Sequence, residues 1–197
     1  MNIGVCGGTF DPFHRGHLEP VLAIRERMAW DRVIFIPAWR QPFKTEQPAT
    51  SGYHRFAMAA LATQSDDSLY VSPMELERGG ISYSVETLQE LHDRFPGATF
   101  DWIIGDDNTS QLLEWKNPDR LFSLARFVVL ARSGPAPAPS LANRVTEGRL
   151  VYAENEAVLI SSTEIRQRVR NGESIDGLVD PAVSRYIHHN GLYKEGA

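Results

Sequence analysis

The stretch Asn2-Ile3-Gly4-Val5-Cys6-Gly7-Gly8-Thr9-Phe10-Asp11-Pro12-Phe13-His14-Arg15-Gly16-His17 decides the fold. Its first five residues are mostly apolar and stop at a double glycine, the pattern of a buried strand entering a tight loop. Beyond it, Leu18, Val21, Leu22 and Met28 recur at helical spacing, so a helix is expected from about Gly16. Glycines let the backbone approach a ligand and tolerate positive φ. The N–H groups of a helix start favour an anion. His14 and His17 are three apart and share one face if this turn is helical. Two imidazoles placed there are suited to phosphate oxygens whose charge is growing. The segment is neither a P-loop, which ends Gly-Lys-Ser/Thr, nor the Gly-x-Gly-x-x-Gly dinucleotide fingerprint. Two histidines at this spacing also suit zinc, although no third ligand is evident nearby. Taken singly, a histidine is more often structural or solvated than catalytic; the joint placement of the two on a glycine-rich strand-to-helix turn reverses that balance.

Outward from this stretch the pattern repeats. Arg32-Val33-Ile34-Phe35-Ile36 reads as a second buried strand stopped by Pro37, and residues 38–50 as a long loop. A helix is expected over 53–63, with Phe56, Ala59, Ala60 and Thr63 on one side, then a strand over 69–72. Next come a helix over 84–95, with Val85, Leu88 and Leu91 inward, and a strand over 99–104 that ends at Gly105. One or two short helices follow between 108 and 123, with Asn117-Pro118 as a start signal. Residues 127–130 and 150–152 read as strands. Between them, Gly134-Pro135-Ala136-Pro137-Ala138-Pro139-Ser140 reads as an exposed, extended loop too short to link domains. A helix over 162–170 ends at Asn171-Gly172. Asp180 caps a last helix that begins at Pro181 and runs to His189. This alternation implies an α/β, Rossmann-like doubly wound fold: a mostly parallel sheet, helices on both faces and a helical C-terminal segment from about residue 161. With no repeat or linker, residues 1–197 read as one domain. Ligands of such sheets sit outside the carboxyl ends of strands. The loops after Cys6, Ile36 and Ile104 are therefore the candidate site.

Composition narrows the partners. The 197 residues are 42% hydrophobic, enough for one substantial core. The net charge of −5 argues against a broad basic surface for nucleic acid or anionic lipid and leaves room for a local basic pocket. Cys6 is the single cysteine, so an intrachain disulfide and a Cys-rich zinc site are both excluded. A reduced, cytoplasmic setting fits. The N-terminus runs straight into a strand pattern and shows no signal-peptide pattern, and no apolar run is long enough to cross a bilayer. Small-molecule substrates are expected, without nucleic acid or membrane. A homo-oligomer is compatible with the sequence.

A second constellation lies far away, at Ile160-Ser161-Ser162-Thr163-Glu164-Ile165-Arg166. Ser161 or Ser162 can cap the helix, with Glu164 or nearby side chains completing the arrangement. An ordinary N-cap would explain the hydroxyls alone. Arg166, within a turn of the same helix start, allows hydroxyls, N–H groups and a guanidinium to converge on phosphate. Arg168 and Arg170 read as solvated helix charges.

Gly7-Gly8-Thr9-Phe10-Asp11-Pro12-Phe13-His14-Arg15-Gly16-His17-Leu18 resembles the signature of the HxGH nucleotidyltransferase superfamily, and its double glycine and Thr-Phe-Asp-Pro resemble bacterial nicotinate-nucleotide adenylyltransferases. Ser161-Ser162-Thr163-Glu164-Ile165-Arg166 resembles that family's second signature, Ser-Ser-Thr-x-Ile-Arg. Pro37-Ala38-Trp39-Arg40-Gln41-Pro42-Phe43-Lys44 is similar to a loop that usually ends Pro-Pro-His-Lys; Lys44 is kept, while Gln41 and Phe43 depart. Ser82-Tyr83-Ser84 resembles a Ser-Tyr-Thr segment that helps hold the pyridine nucleotide, and Ile103-Ile104-Gly105-Asp106-Asp107 a strand-end Gly-x-Asp. Trp115 matches a tryptophan that flanks the pyridine ring, although as a single aromatic it would equally suit a core.

The resemblance implies adenylyl transfer from ATP to nicotinate mononucleotide, with Mg²⁺ bridging the triphosphate. It implies catalytic roles for His14, His17, Lys44 and Arg166. ATP would be held by Gly7, Gly8, Thr9, Phe10, Gly105, Asp107, Ser161, Ser162 and Thr163, and the acceptor by Tyr83, Ser84 and Trp115. An adenylyltransferase acting on nicotinamide mononucleotide or phosphopantetheine is the runner-up. A nucleotide-binding sensor without turnover is the alternative outside enzymology.

Overall fold

Strands β1 (Asn2–Gly8), β2 (Arg32–Pro37), β3 (Leu69–Val71), β4 (Thr99–Gly105), β5 (Arg126–Leu130) and β6 (Leu150–Ala153) form one sheet in the order β3-β2-β1-β4-β5-β6. Every pairing is parallel. This computed structural model describes residues 1–43, 48–130, 139–156 and 158–194. The helices among them are α1 (Arg15–Arg25), α2 (Gly52–Thr63), α3 (Met74–Arg78), α4 (Ser84–Arg94), α5 (Pro118–Leu124), α6 (Ala142–Thr146), α7 (Ser162–Arg170) and α8 (Pro181–His189). Two 3₁₀ helices, Asp106–Glu114 and Pro139–Leu141, complete the set.

The strands read as unbroken apolar runs because both faces of the sheet are covered. Side chains alternate between the faces. In β2, Val33 and Phe35 join one core with Val21 and Ile24 of α1, Met58 of α2 and Ile187 of α8. Ile34 and Ile36 join the other with Leu88 and Leu91 of α4 and Phe122 of α5. At the end of the sheet away from the candidate loops, buried Asp101 accepts from Trp30 Nε1 (2.6 Å) and from Arg126 Nε and Nη2 (2.8 and 2.5 Å). That bond set ties the connection between α1 and β2 to β4 and β5.

Several expectations change. The buried face of α2 carries Arg55, Met58, Ala59 and Thr63; Phe56 and Ala60 are only half-buried. The helix is rotated from the apolar reading because Arg55 finds carbonyl partners inside, described below. α3 was not foreseen, since five residues are too few to show a period. The helical structure expected from 108 begins at Asp106, as a 3₁₀ helix. Of the proline-rich stretch from Gly134, only Pro139 and Ser140 are among the described residues, where they begin a 3₁₀ turn. No helix among the described residues is long and apolar enough to cross a membrane.

Candidate active site

The sheet order reverses between β1 and β4, and a cleft of about 1530 Å³ opens at the carboxyl ends of β1, β2 and β4. Every residue assigned a site role from the sequence lines this one cleft. The exception is Lys44, which lies outside the described residues.

The N-terminal motif supplies one wall. His14 occupies the N-cap position of α1, with φ −143° and ψ 169°, and His17 stands in the first turn. Their rings stack with centroids 3.7 Å apart and planes inclined by 23°. The His14 backbone N–H donates to His17 Nδ1 at 3.2 Å. In the neutral ring that bond places the remaining proton on Nε2, so His17 can act as a donor there. Phe10 and Phe13 pack against the His17 ring, with centroids at 4.9 and 5.4 Å.

The glycines play a different part from the one expected. Neither Gly7 nor Gly8 has positive φ; the left-handed residue of the loop is Phe10, at φ 55°. That turn folds the Phe10 ring back over Gly8, where an added Cβ would lie 2.6 Å from the ring. At Gly7 it would lie 3.1 Å from Trp102. The double glycine thus makes room for two aromatic rings that shape the floor. Phe10 itself is buried, so its ring supports His17 more than it faces a ligand.

The C-terminal segment closes onto this wall. Arg166 Nη1 donates to the Asp11 carbonyl at 2.7 Å and Nη2 to Thr163 Oγ1 at 3.2 Å. Ser162 Oγ donates to the Pro12 carbonyl at 3.1 Å. The Arg15 N–H reaches the Leu178 carbonyl at 3.0 Å. Ser161 takes the N-cap position of α7, yet its hydroxyl forms no cap bond, and Glu164 pairs with Arg168 at 2.8 Å. The expected capping arrangement is therefore absent: an i, i+4 ion pair holds the glutamate. The Ser161 side chain faces the cleft without a capping role.

The opposite wall comes from the segment after β2 and the start of α4. Ser82 joins them: its Oγ accepts from Trp39 N–H at 3.0 Å, and its N–H donates to the Arg40 carbonyl at 2.9 Å. Tyr83 is the N-cap residue of α4 and Ser84 its first. Lys116 Nζ lies 4.1 Å from the Tyr83 ring centroid and pairs with Glu86 at 2.7 Å. Trp115 is half-buried, edge-on to Phe127 at 6.2 Å, so it serves core and cleft together. Asp107 is exposed at the rim just beyond Gly105.

Sequence reasoning missed four residues beside the cleft. Glu75 is buried beneath Ser82; burial raises its pKa, against bonds from Thr87 and Ser82 that lower it. Asp11, Arg55 and Tyr193 form a buried polar cluster. Burial and the Asp11 charge push the Tyr193 hydroxyl far above its ordinary value. Asp11 stood inside the motif without a role, and nothing in the sequence distinguished the other three from surface polar residues.

The cytidylyltransferase-like family model matches residues 5–168. The chain is 39% identical over 198 residues to a protein of Gemmatimonas aurantiaca, covering 99% of this chain and 93% of that one. It is 40% identical over 195 residues to one of a Roseiflexus species, covering 98% of each. Both carry the name "Probable nicotinate-nucleotide adenylyltransferase". The solved structure of Plasmodium falciparum nicotinic acid mononucleotide adenylyltransferase complexed with NaAD shares the fold, with a TM-score of 0.75 at 20% identity over 98% of this chain and 97% of that one. With relatives this similar along the full length, and with both of its motifs on one cleft, the chain belongs to the nicotinate-nucleotide adenylyltransferase family.

Proposed function

We propose that the protein transfers the adenylyl group of ATP to nicotinate mononucleotide, giving deamido-NAD and pyrophosphate, a step of NAD biosynthesis. The observation that carries this reading is the convergence of His14, His17, Ser162, Thr163 and Arg166 on the cleft that also holds Tyr83, Ser84 and Trp115. A phosphate oxygen of the acceptor attacks the α-phosphorus of ATP. The bond to the bridging oxygen of the β-phosphate breaks, and pyrophosphate leaves with the electron pair. The acceptor phosphate is already anionic, so the protein needs no nucleophile of its own; it must position two anions and offset charge. His17 Nε2–H and the Arg166 guanidinium supply donors to the phosphates, as does His14 at the start of α1, with the Ser162 and Thr163 hydroxyls beside them. Lys44 adds a cation on the acceptor phosphate. Gly7, Gly8, Thr9, Gly105 and Asp107 bound the nucleoside side, and Trp115 and Tyr83 offer aromatic surface to the pyridine ring.

In this reading Mg²⁺ would arrive on the triphosphate, held by phosphate oxygens. Among the described residues, no group of three or more His, Cys, Asp or Glu side chains is placed to hold a metal. Mg²⁺ commonly binds through phosphates and water, not an all-protein cage. When bound it neutralises phosphate charge.

Pyrophosphate release from ATP and Mg²⁺ tests the reading, with nicotinate mononucleotide, nicotinamide mononucleotide or phosphopantetheine as acceptor. Release is expected with nicotinate mononucleotide. Release with phosphopantetheine alone would reassign the acceptor, and release with none would leave a nucleotide-binding sensor.

A further inference from the structure

No role described so far uses the Asp11 side chain, which is 4% exposed. Its carboxylate gathers four donors. Oδ2 accepts from the backbone N–H of Ala49 at 2.6 Å and of Thr50 at 3.3 Å. Oδ1 accepts from the Thr50 hydroxyl and the Tyr193 hydroxyl, each at 2.7 Å. An ionised carboxylate can accept four such bonds while donating none. Buried charge needs a counter-charge, and Arg55, 1% exposed, supplies it. The Arg55 guanidinium in turn donates to the Thr9 carbonyl at 2.6 Å and the Trp39 carbonyl at 3.5 Å.

These bonds fall on both sides of the cleft. The segment after β2 contributes Trp39, Arg40, Phe43 and Ala49 to the cleft lining. Within it, Trp39 is held by Arg55 and Ser82, and Ala49 and Thr50 are held by Asp11. The backbone carbonyl of the same Asp11 accepts from Arg166 at 2.7 Å. We propose that Asp11 is a positioning residue that sets the acceptor wall against the triphosphate side: its carbonyl orients Arg166 and its carboxylate holds the Ala49–Thr50 end of the wall. Tyr193, near the C-terminus, completes the clamp from outside the cleft. The assignment of this wall to the acceptor rests on the function proposed above.

Thr50→Val keeps the volume and removes one donor to Oδ1. It is expected to raise KM for nicotinate mononucleotide about tenfold, with kcat and KM for ATP within about twofold of the parent. Thr50→Ser, which keeps the hydroxyl, restores the parent value. Tyr193→Phe acts in the same direction, and the double variant departs from additivity because both hydroxyls meet one oxygen. Amide exchange reads the clamp without substrate: the Ala49 N–H is protected in the wild-type protein and less so in Thr50→Val. An unprotected Ala49 amide in the wild-type protein, or equal rises in both KM values, would overturn the proposal. A wild-type protein with a protected Ala49 amide that releases no pyrophosphate with nicotinate mononucleotide would retain the clamp and sink the acceptor assignment.

Discussion

A neutral imidazole has one N–H to give, and its neighbours decide which nitrogen carries it. The His14 backbone N–H takes His17 Nδ1, so the donor of His17 is Nε2. Such a donor, fixed before the substrate arrives, is most useful where charge grows during the reaction. His17→Ala is expected to lower kcat by roughly two to three orders of magnitude. Its circular dichroism spectrum should match that of the parent, because His17 is only half-buried. A near-parental kcat would remove His17 from the mechanism. Residues of this kind were legible because each motif is continuous in the chain and pairs unusual residue types at fixed spacing. The Asp11 clamp was not. Its partners lie 38, 39 and 182 residues away, and Arg55 sits 46 from Thr9. A lone arginine in an amphipathic helix reads as solvated, since a buried one depends on partners that only the fold supplies.

Elements long enough to show a period were readable, whereas those set by local hydrogen bonds were not. α4 buries Val85, Leu88 and Leu91 as its spacing foretold. The short α3 depends on contacts from elsewhere: buried Glu75 accepts from Thr87 of α4 at 2.5 Å. The turn between α2 and β3 shows how such bonds carry a pH dependence. Asp66 Oδ1 accepts from the Ser68 hydroxyl and N–H at 2.6 and 2.9 Å, and Oδ2 accepts from Arg25 of α1 at 2.6 Å. These bonds, led by those from Ser68, hold Asp66 at about 2, below its ordinary 3.8. A depressed carboxylate contributes stability that is present above its unfolded pKa and is lost as pH falls through its folded value. Asp66→Asn should therefore lower the urea midpoint at pH 7, and the gap to the parent should close as pH falls from about 4 toward 2. A gap that stays constant across that window would show that Asp66 acts through shape, not charge.

Across the molecule, α7 and α8 are part of the main core and not an appendage to it. Ile165, Val169, Val183 and Ile187 belong to the same cluster as Phe13, Val21 and Ile24. Polar ties repeat the connection, from Arg166 to Asp11, Ser162 to Pro12 and Tyr193 to Asp11. The segment from about residue 161 reaches the same cleft as the N-terminal motif, since Ser162 and Arg166 are bonded to that motif's carbonyls. Shared apolar surface makes the ends of the chain unfold together. This is testable at the start of α8, where Asp180 Oδ1 accepts from Ala182 N–H at 2.7 Å. Loss of such a cap costs about 1 kcal/mol, which in a protein of this size lowers Tm by roughly 2–4 °C. Asp180→Ala should therefore shift one cooperative transition, seen alike by far-UV circular dichroism and by fluorescence from the four tryptophans, none of which lies in α7 or α8. Unchanged tryptophan fluorescence above an earlier dichroism loss would instead mark the C-terminal helices as a unit that melts alone, and the cleft would then lose Arg166 before the sheet unfolds.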